Sequence, residues 1–558
     1  MKAKIFHQLA YEQKKPYLEF IAGLAHSGLA DIFRFPNQDL SFWWFSLIAE
    51  KSPAKTNAYQ DLISLLSGNM SAGKPGLRTR ISGCWPAVFL KGWLAYFIFV
   101  LRFFYIKLSF SGFGKRASGL KNRKYVLVSS FPFFDKAKAR SGIFENAYFS
   151  SLNRIMDKNH PEDYAQICLQ FDYGENNLFR DVHQARTFLK KSHLFFLEEF
   201  IRFGDLLWIA YYYLYFAAVG LINIKKVKTK FIYTYQENNI NVWDIYKRDY
   251  NLSFNGIVSI TSLEFIVMFR RLVSYLNKET KVIAAAEMHE WEKALYYACK
   301  KTGIISIAYQ HAHLPELLLN YFNHSEELGE DGFIQYCPLP DYLATVGTAS
   351  EQLLLNCGWS RDRVFVWGAQ RFEQLRLLRQ TKKSDFKNNY FICAFSVLSS
   401  EVEQFLKLLA KAFPDYPGYK ILLKSHALLD IRSIVNTFDL TLNKETFEFT
   451  TKNMEELITE SQGMIVTGSS SCFYALACGV QIIIPIFSGR LDLNPLSYST
   501  DIPFYVYSHG ELRSICDSII NKTARLSAEE KLKCTLNNYL YFPEDEIEYF
   551  NKLGDCVK

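Results

Sequence analysis

From residue 124 onward, short apolar runs alternate with amphipathic stretches of helical period. KYVLVSS, KVIAAAE and IISIAYQH are β-rich runs that end in polar residues, and EWEKALYYACKKTG between the last two has a helical period closed by Gly303. After about residue 360 the same order restarts with RVFVWG, YFICAFS, YKILLK, GMIVTG and VQIIIPIF. Helical stretches such as SSEVEQFLKLLAKAF and SSCFYALACG separate these runs. Strand–helix–strand order of this kind predicts parallel, right-handed, doubly wound sheets. The expected fold is therefore α/β. A Rossmann-like unit spans 121–355, with an aromatic-rich helical insertion near 200–225, and a second spans 356–558.

Residues 1–120 read as a helical region, with a break at Pro53. Within it, AVFLKGWLAYFIFVLRFFYIKLSF is strongly apolar but interrupted by Lys91, Arg102 and Lys107, which makes a membrane span costly. LLWIAYYYLYFAAVGLINI (206–224) is close to spanning length, is rich in Tyr and Trp, and leads into Lys225, Lys226, Lys228 and Lys230. An interfacial or buried helix is the expectation for both, with a true span the alternative for 206–224. The first twenty residues hold no uninterrupted apolar core, so a secretory signal is not expected.

Composition changes this picture little. With 49% hydrophobic and 22% charged residues over 558 positions, the chain is globular and long enough for two or three domains. A net charge of +8 suits an anionic ligand or membrane surface, and no basic, aromatic-interleaved track points to nucleic acid. The eleven cysteines are scattered without C-x-x-C spacing and are expected to be buried thiols in a reducing cytoplasm.

In doubly wound sheets, ligands bind beyond the carboxyl ends of the strands, and the distinctive polar residues fall there. Glu287 ends one run, and Gln310, His311 and His313 end the next. Gln370 and Arg371 follow RVFVWGA, and Lys424 and His426 follow YKILL. Gly468, Ser469, Ser470 and Ser471 open a helix after GMIVT, where backbone N–H groups and hydroxyls suit a phosphate. Glu287 or His311 is placed to take a proton from a substrate hydroxyl. Arg371 and Lys424 can neutralise phosphate charge, and the chain contains no D-x-D. No metal and no cofactor is therefore expected.

Ordered pieces along the chain carry a resemblance: SFWWFSLIAEKSPAK, VSSFPFF with GIFENAYFSSL, EMHEWEKAL with YQHAHLP, PDYLATVG, WGAQRFE, KSHALLD, the serine turn and LDLNPL. Together they resemble the bacterial surface carbohydrate biosynthesis proteins of capsule and O-antigen clusters. KSHALLD and the serine turn are similar to the K-P-H-P and Ser-Ser/Thr motifs of GT-B sialyl-, polysialyl- and glycerophosphate transferases. Ser425 and Ala427 stand where that motif has prolines.

The resemblance implies a GT-B glycosyltransferase that holds its donor nucleotide on Lys424, His426, Ser469 and Ser470. Taken with the strand-end residues, the missing D-x-D and the aromatic helices, the expectation is a metal-independent enzyme peripheral on the cytoplasmic face of the inner membrane, with Ser471, Arg371 and Asn494 assisting the donor and Glu287 and His311 meeting a glycan or lipid-linked acceptor. The implied donor is a CMP-activated acidic sugar of sialic-acid or Kdo type. A UDP- or other NDP-hexose donor, a nucleotide-sugar epimerase, and a non-catalytic glycan-binding component of an export complex are the competing readings.

Overall fold

The computed structural model describes residues 2–68, 85–110, 113–131, 144–170, 182, 193–312, 314–329, 332–380, 388–396, 398–426, 429–496, 501–524 and 527–555. The expected His313, Ala427 and Leu428, and the end of VSSFPFF, lie outside them. Fifteen strands are described. They are β1 (Tyr125–Phe131), β2 (Tyr164–Gln170), β3 (Leu194–Phe196), β4 (Ile232–Tyr235), β5 (Asn238–Asn241), β6 (Lys281–Ala286), β7 (Ile305–Gln310) and β8 (Tyr342–Thr345), followed by β9 (Val364–Val366), β10 (Tyr390–Ala394), β11 (Lys420–Lys424), β12 (Phe447–Thr450), β13 (Gly463–Val466), β14 (Gln481–Pro485) and β15 (Phe504–Val506).

Two sheets result, ordered β3-β2-β1-β6-β7-β8-β9 and β12-β11-β10-β13-β14-β15, and every pairing in them is parallel. β4 and β5 form a separate antiparallel hairpin. Once that hairpin is set aside, each sheet adds its first three strands in one direction and then continues from the other side of the first. Each therefore has a switch-point crevice at its carboxyl edge, between β1 and β6 and between β10 and β13. Successive residues of β6 and β10 point into different apolar cores, which is why these strands read as continuous apolar runs rather than alternating ones. One core contains Leu127 and Tyr309 of the first sheet together with Ile392 and Met464 of the second, so the two lobes share an interior. This is the two-lobed GT-B plan.

Two boundaries differ from the sequence reading. RVFVWG does not open the second sheet. β9 pairs with β8 in the register Leu343↔Val364, as the outer strand of the first lobe, and the crossover follows it. Apolarity marks a strand but does not say which sheet it joins. Nor is the N-terminal helical region separate. Phe33, Trp43, Trp44 and Ile63 are buried in one core with Val126 and Val282, and the Trp44 indole N–H donates to Phe333 O at 3.1 Å.

The chain also returns to the first lobe at its end. Ala369 N–H donates to Tyr541 O (2.9 Å), Tyr541 N–H to Val346 O (2.8 Å) and the Trp367 indole to Tyr549 O (2.7 Å). Gly368, at φ 119°, allows the tight approach, since a Cβ there would lie 2.8 Å from the Tyr549 ring.

Helices Trp85–Ser109 and Phe203–Lys228 are long and apolar enough to cross a membrane. They pack antiparallel: Tyr96 Oη donates to Leu206 O (3.0 Å) and Tyr213 Oη to Phe89 O (3.0 Å). Val88, Gly92, Tyr96, Phe99, Phe103 and Ile106 face the lobe. Leu90, Leu94, Phe97, Leu101, Phe104 and Leu108 repeat at helical spacing on the opposite side and are exposed. Among the described residues, Ile63 before the first helix and Leu120 after it, and Phe200 before the second and Phe231 after it, share one core.

Candidate active site

The first-lobe half of the site is built where β6 ends. Glu287, Met288 and His289 make a sharp turn in which Met288 takes the left-handed conformation (φ 59°), uncommon for a side chain of that size. The Glu292 carboxylate, one turn into helix Glu290–Thr302, holds that turn. It accepts the N–H groups of Glu287, of Met288 at 2.8 Å and of His289 at 2.7 Å. Glu292 thus caps the helix, whereas Glu290 is buried and paired with Lys55.

The turn sets a line of ionisable groups. Glu50 Oε1 lies 2.7 Å from His289 Nδ1, His289 Nε2 lies 3.4 Å from Glu287 Oε2, and Glu287 Oε1 lies 3.7 Å from His311 Nε2. Burial and the Lys55 ammonium oppose protonation of His289, but Glu50 and Glu287 outweigh them and lift its pKa to about 10. Burial also works against ionisation of Glu287. There the His289 hydrogen bond and the charges of His311, His289 and Lys55 prevail, and the pKa falls to about 2. Glu287 is consequently a carboxylate at ordinary pH.

His311 follows β7 and is 3% exposed. Burial, only partly opposed by Glu287 and reinforced by Arg371, drives its pKa down to about 3, so the ring is neutral at ordinary pH. The Tyr148 ring lies 3.9 Å from it, and Nδ1 has no hydrogen-bond partner. With the proton on Nε2, facing Glu287, Nδ1 presents a free lone pair.

Arg371 connects the halves. It sits in the short 3-10 turn Gln370–Phe372, anchored to the first lobe by Ser150 Oγ donating to Gln370 O (2.9 Å) and Leu152 N–H donating to Gln370 Oε1 (3.2 Å). Phe372 packs on Phe473 of the second lobe at 5.7 Å. The exposed guanidinium lies 5.6 Å from the Tyr148 ring and is close enough to both His311 and His426 to oppose their protonation.

In the second lobe, Lys424 ends β11 half-buried, and its ammonium has no partner among the described residues. His426 has its pKa lowered by burial and by Arg371. Ser425 has a local task, accepting Ile431 N–H at 3.2 Å where the next helix begins. The Ser469 hydroxyl accepts Ser471 N–H (3.3 Å) and lies 3.1 Å from Ser471 Oγ, while the Ser470 hydroxyl has no partner among the described residues. Gly468 lies so close to the following loop that a Cβ would come 3.3 Å from Leu493. Arg490, which the sequence reading passed over, lines the crevice beside Gly468 together with Thr467 and Glu401.

Sheet order sets one distance, and one expectation changes. β11 and β13 are not neighbours: β10 lies between them, so Lys424 and the serine turn are separated by two strand spacings, roughly 10 Å. That suits opposite sides of one ligand rather than a single phosphate. Asn494 is fully buried and spent on backbone, donating to Thr467 O (2.9 Å) and accepting Leu496 N–H (2.8 Å). It shapes the loop behind Gly468 and has no free face for a donor.

Glu50, Lys55 and His289 were not singled out from the sequence. Their only signal was that two quoted motifs, SFWWFSLIAEKSPAK and EMHEWEKAL, carry them. Ligand-capable atoms of Glu50, His289 and Glu290 lie within 4.8 Å of one another. The Lys55 ammonium bridges both carboxylates there, 3.2 Å from Glu50 Oε1, and supplies the positive charge.

No protein-family model and no curated protein matches the chain. Among solved structures, a UDP-GlcNAc 2-epimerase from Methanocaldococcus jannaschii in complex with UDP-GlcNAc and UDP is 11% identical, with 77% of this chain and 99% of that one covered and a TM-score of 0.41. The S. aureus MnaA–UDP co-structure is 9% identical (78% and 98% covered, TM-score 0.41). The lipopolysaccharide outer core galactosyltransferase WaaB is 10% identical (78% and 99% covered, TM-score 0.39). Likenesses at this level carry no chemistry to this chain, whose own residues must supply it.

Proposed function

We propose that the protein transfers a sugar from a nucleotide-activated donor to a glycan or lipid-linked acceptor of a bacterial surface polysaccharide. The observation that supports this reading is that Arg371 lies close both to His311, beside its Glu287 carboxylate on the first lobe, and to His426 on the second. The acceptor hydroxyl gives its proton to the Glu287–His311 pair, whose carboxylate is the exposed member, as its oxygen bonds to the anomeric carbon. The bond from that carbon to the donor phosphate oxygen breaks, and the electron pair leaves with the nucleotide. Arg371, Lys424 and the Ser470 hydroxyl receive the developing phosphate charge without a metal.

The donor is a nucleotide sugar. A CMP-linked acidic sugar is the first candidate and a UDP-linked hexose the second. A thermal-shift screen against CMP, UDP, GDP and dTDP checks this, because a ligand of the native state raises the melting temperature. One nucleotide should stabilise the protein and lose its effect in Lys424→Ala and His426→Ala. No response to any nucleotide defeats the reading, and turnover of donor sugar in the absence of acceptor would mark an epimerase instead.

We further propose that the enzyme rests on the cytoplasmic membrane face through helices Trp85–Ser109 and Phe203–Lys228. Their outer faces expose Leu94, Leu101, Leu108, Leu207, Tyr211 and Ile222. Lys225, Lys226 and Lys228 at the end of the second helix are exposed and suit anionic headgroups. The stripe from Leu90 to Leu108 runs about 27 Å along the helix axis. Its other side is packed on the lobe, which fits a helix lying in the interface.

A further inference from the structure

The N-terminal helical region reaches the reaction centre through one loop. Residues 51–57 leave the short helix Leu47–Glu50, and the groups on both sides of that junction meet the β6 turn. Glu50 is 1% exposed, although a lone buried carboxylate is costly. Its Oε1 meets His289 at 2.7 Å and Lys55 at 3.2 Å, and its Oε2 accepts from Lys55 at 3.4 Å. His289 in turn reaches Glu287, whose side chain is 41% exposed and which alone in the line opens to solvent. Met288 keeps its left-handed backbone between these two residues, and Glu292 pins their N–H groups. A strained turn held from two sides, with its charges in sequence toward an unpartnered imidazole, exceeds what packing requires.

We propose that Glu50 and His289 are positioning residues of the active site: the N-terminal region supplies the outer carboxylate of a relay, Glu50–His289–Glu287–His311, that fixes the Glu287 carboxylate against His311. This rests on the reading of the Glu287–His311 pair as proton acceptor. The groups facing His289 are Glu50 and Lys55 from the N-terminal region and Glu287 and Glu290 from its own turn. His311 faces Glu287, Tyr148 and Arg371. The residues therefore act as a unit, and their loss should not compound.

The test uses the full chain with E50Q, H289N and the double variant. Histidine-ring NMR should show His289 losing its proton near pH 10 in the parent and near the ordinary histidine range in E50Q. Sugar transfer should fall at least tenfold in each single variant, mainly in kcat, and no further in the double variant. Nucleotide-induced thermal shifts should match the parent in all three, because the second lobe is untouched. Unaltered His289 titration in E50Q, or losses that multiply in the double variant, overturns the relay. Should the parent bind no nucleotide, the transferase reading fails while the His289 titration still decides the relay. Should E50Q not fold, H289N alone decides: parent-like transfer by a folded H289N overturns it.

Discussion

The exposed stripe on helix Trp85–Ser109 makes the membrane proposal quantitative. Leu94, Leu101 and Leu108 are 60%, 69% and 82% exposed. Burying a whole leucine side chain is worth about 2 kcal/mol, so each of these, scaled by its exposed fraction, contributes between about 1.2 and 1.6 kcal/mol on entering an apolar layer. The triple substitution Leu94→Gln, Leu101→Gln, Leu108→Gln therefore removes about 4 kcal/mol of partitioning energy, nearly a thousandfold in the bound-to-free ratio. None of the three contacts the core, so folding stability should stay within about 0.5 kcal/mol of the parent. Flotation with vesicles containing phosphatidylglycerol reads the ratio directly, and raised salt separates the lysine contribution from the apolar one. A triple variant that floats with vesicles as well as the parent would show that this face does not meet lipid.

Other measurements follow from the same geometry. Glu292→Ala orphans three backbone N–H groups, at about 1–3 kcal/mol each, and should cost several kcal/mol and speed hydrogen exchange at residues 287–289; protected amides there would refute its role as the clamp. His289, with its pKa raised to about 10, contributes stability that is complete below its ordinary value of 6.5 and lost as pH rises toward 10, so His289→Asn should flatten the alkaline limb of a melting-temperature profile. His311, lowered to about 3, acts in the opposite sense: its contribution is complete above 6.5 and lost as pH falls toward 3, and His311→Asn should flatten that limb. Arg371→Ala should raise the titration points of both His311 and His426, measured by ring NMR, and weaken nucleotide binding; parent-like titration of both rings would remove Arg371 from the cleft.

The strand-and-helix alternation was legible because buried parallel strands read as apolar runs, and Glu287, His311, Lys424 and the serine turn were singled out because strand ends are where such sheets bind. Assignment of β9 was not legible: VFV pairs equally well on paper with either sheet, and only register decides. Asn494 misled because a polar residue in a Gly/Pro-rich loop looks available until its amide is seen closing on Thr467 O. The Glu50–His289 pair spans 239 residues, and no local periodicity records a contact at that distance. Nor does an acidic residue after WWFSLIA announce that it will be buried.

The carboxyl-terminal return has a mechanical consequence. Peptide crosses between the lobes at residues 367–372 and again near Tyr541, and the two crossings are stitched side by side by Ala369 N–H to Tyr541 O. Two crossings stitched together, over a core that both lobes share, constrain the second lobe against the first more than one length of peptide would. Clipping the chain before Tyr541 would leave a single crossing and take Tyr549 and Leu553 out of that core.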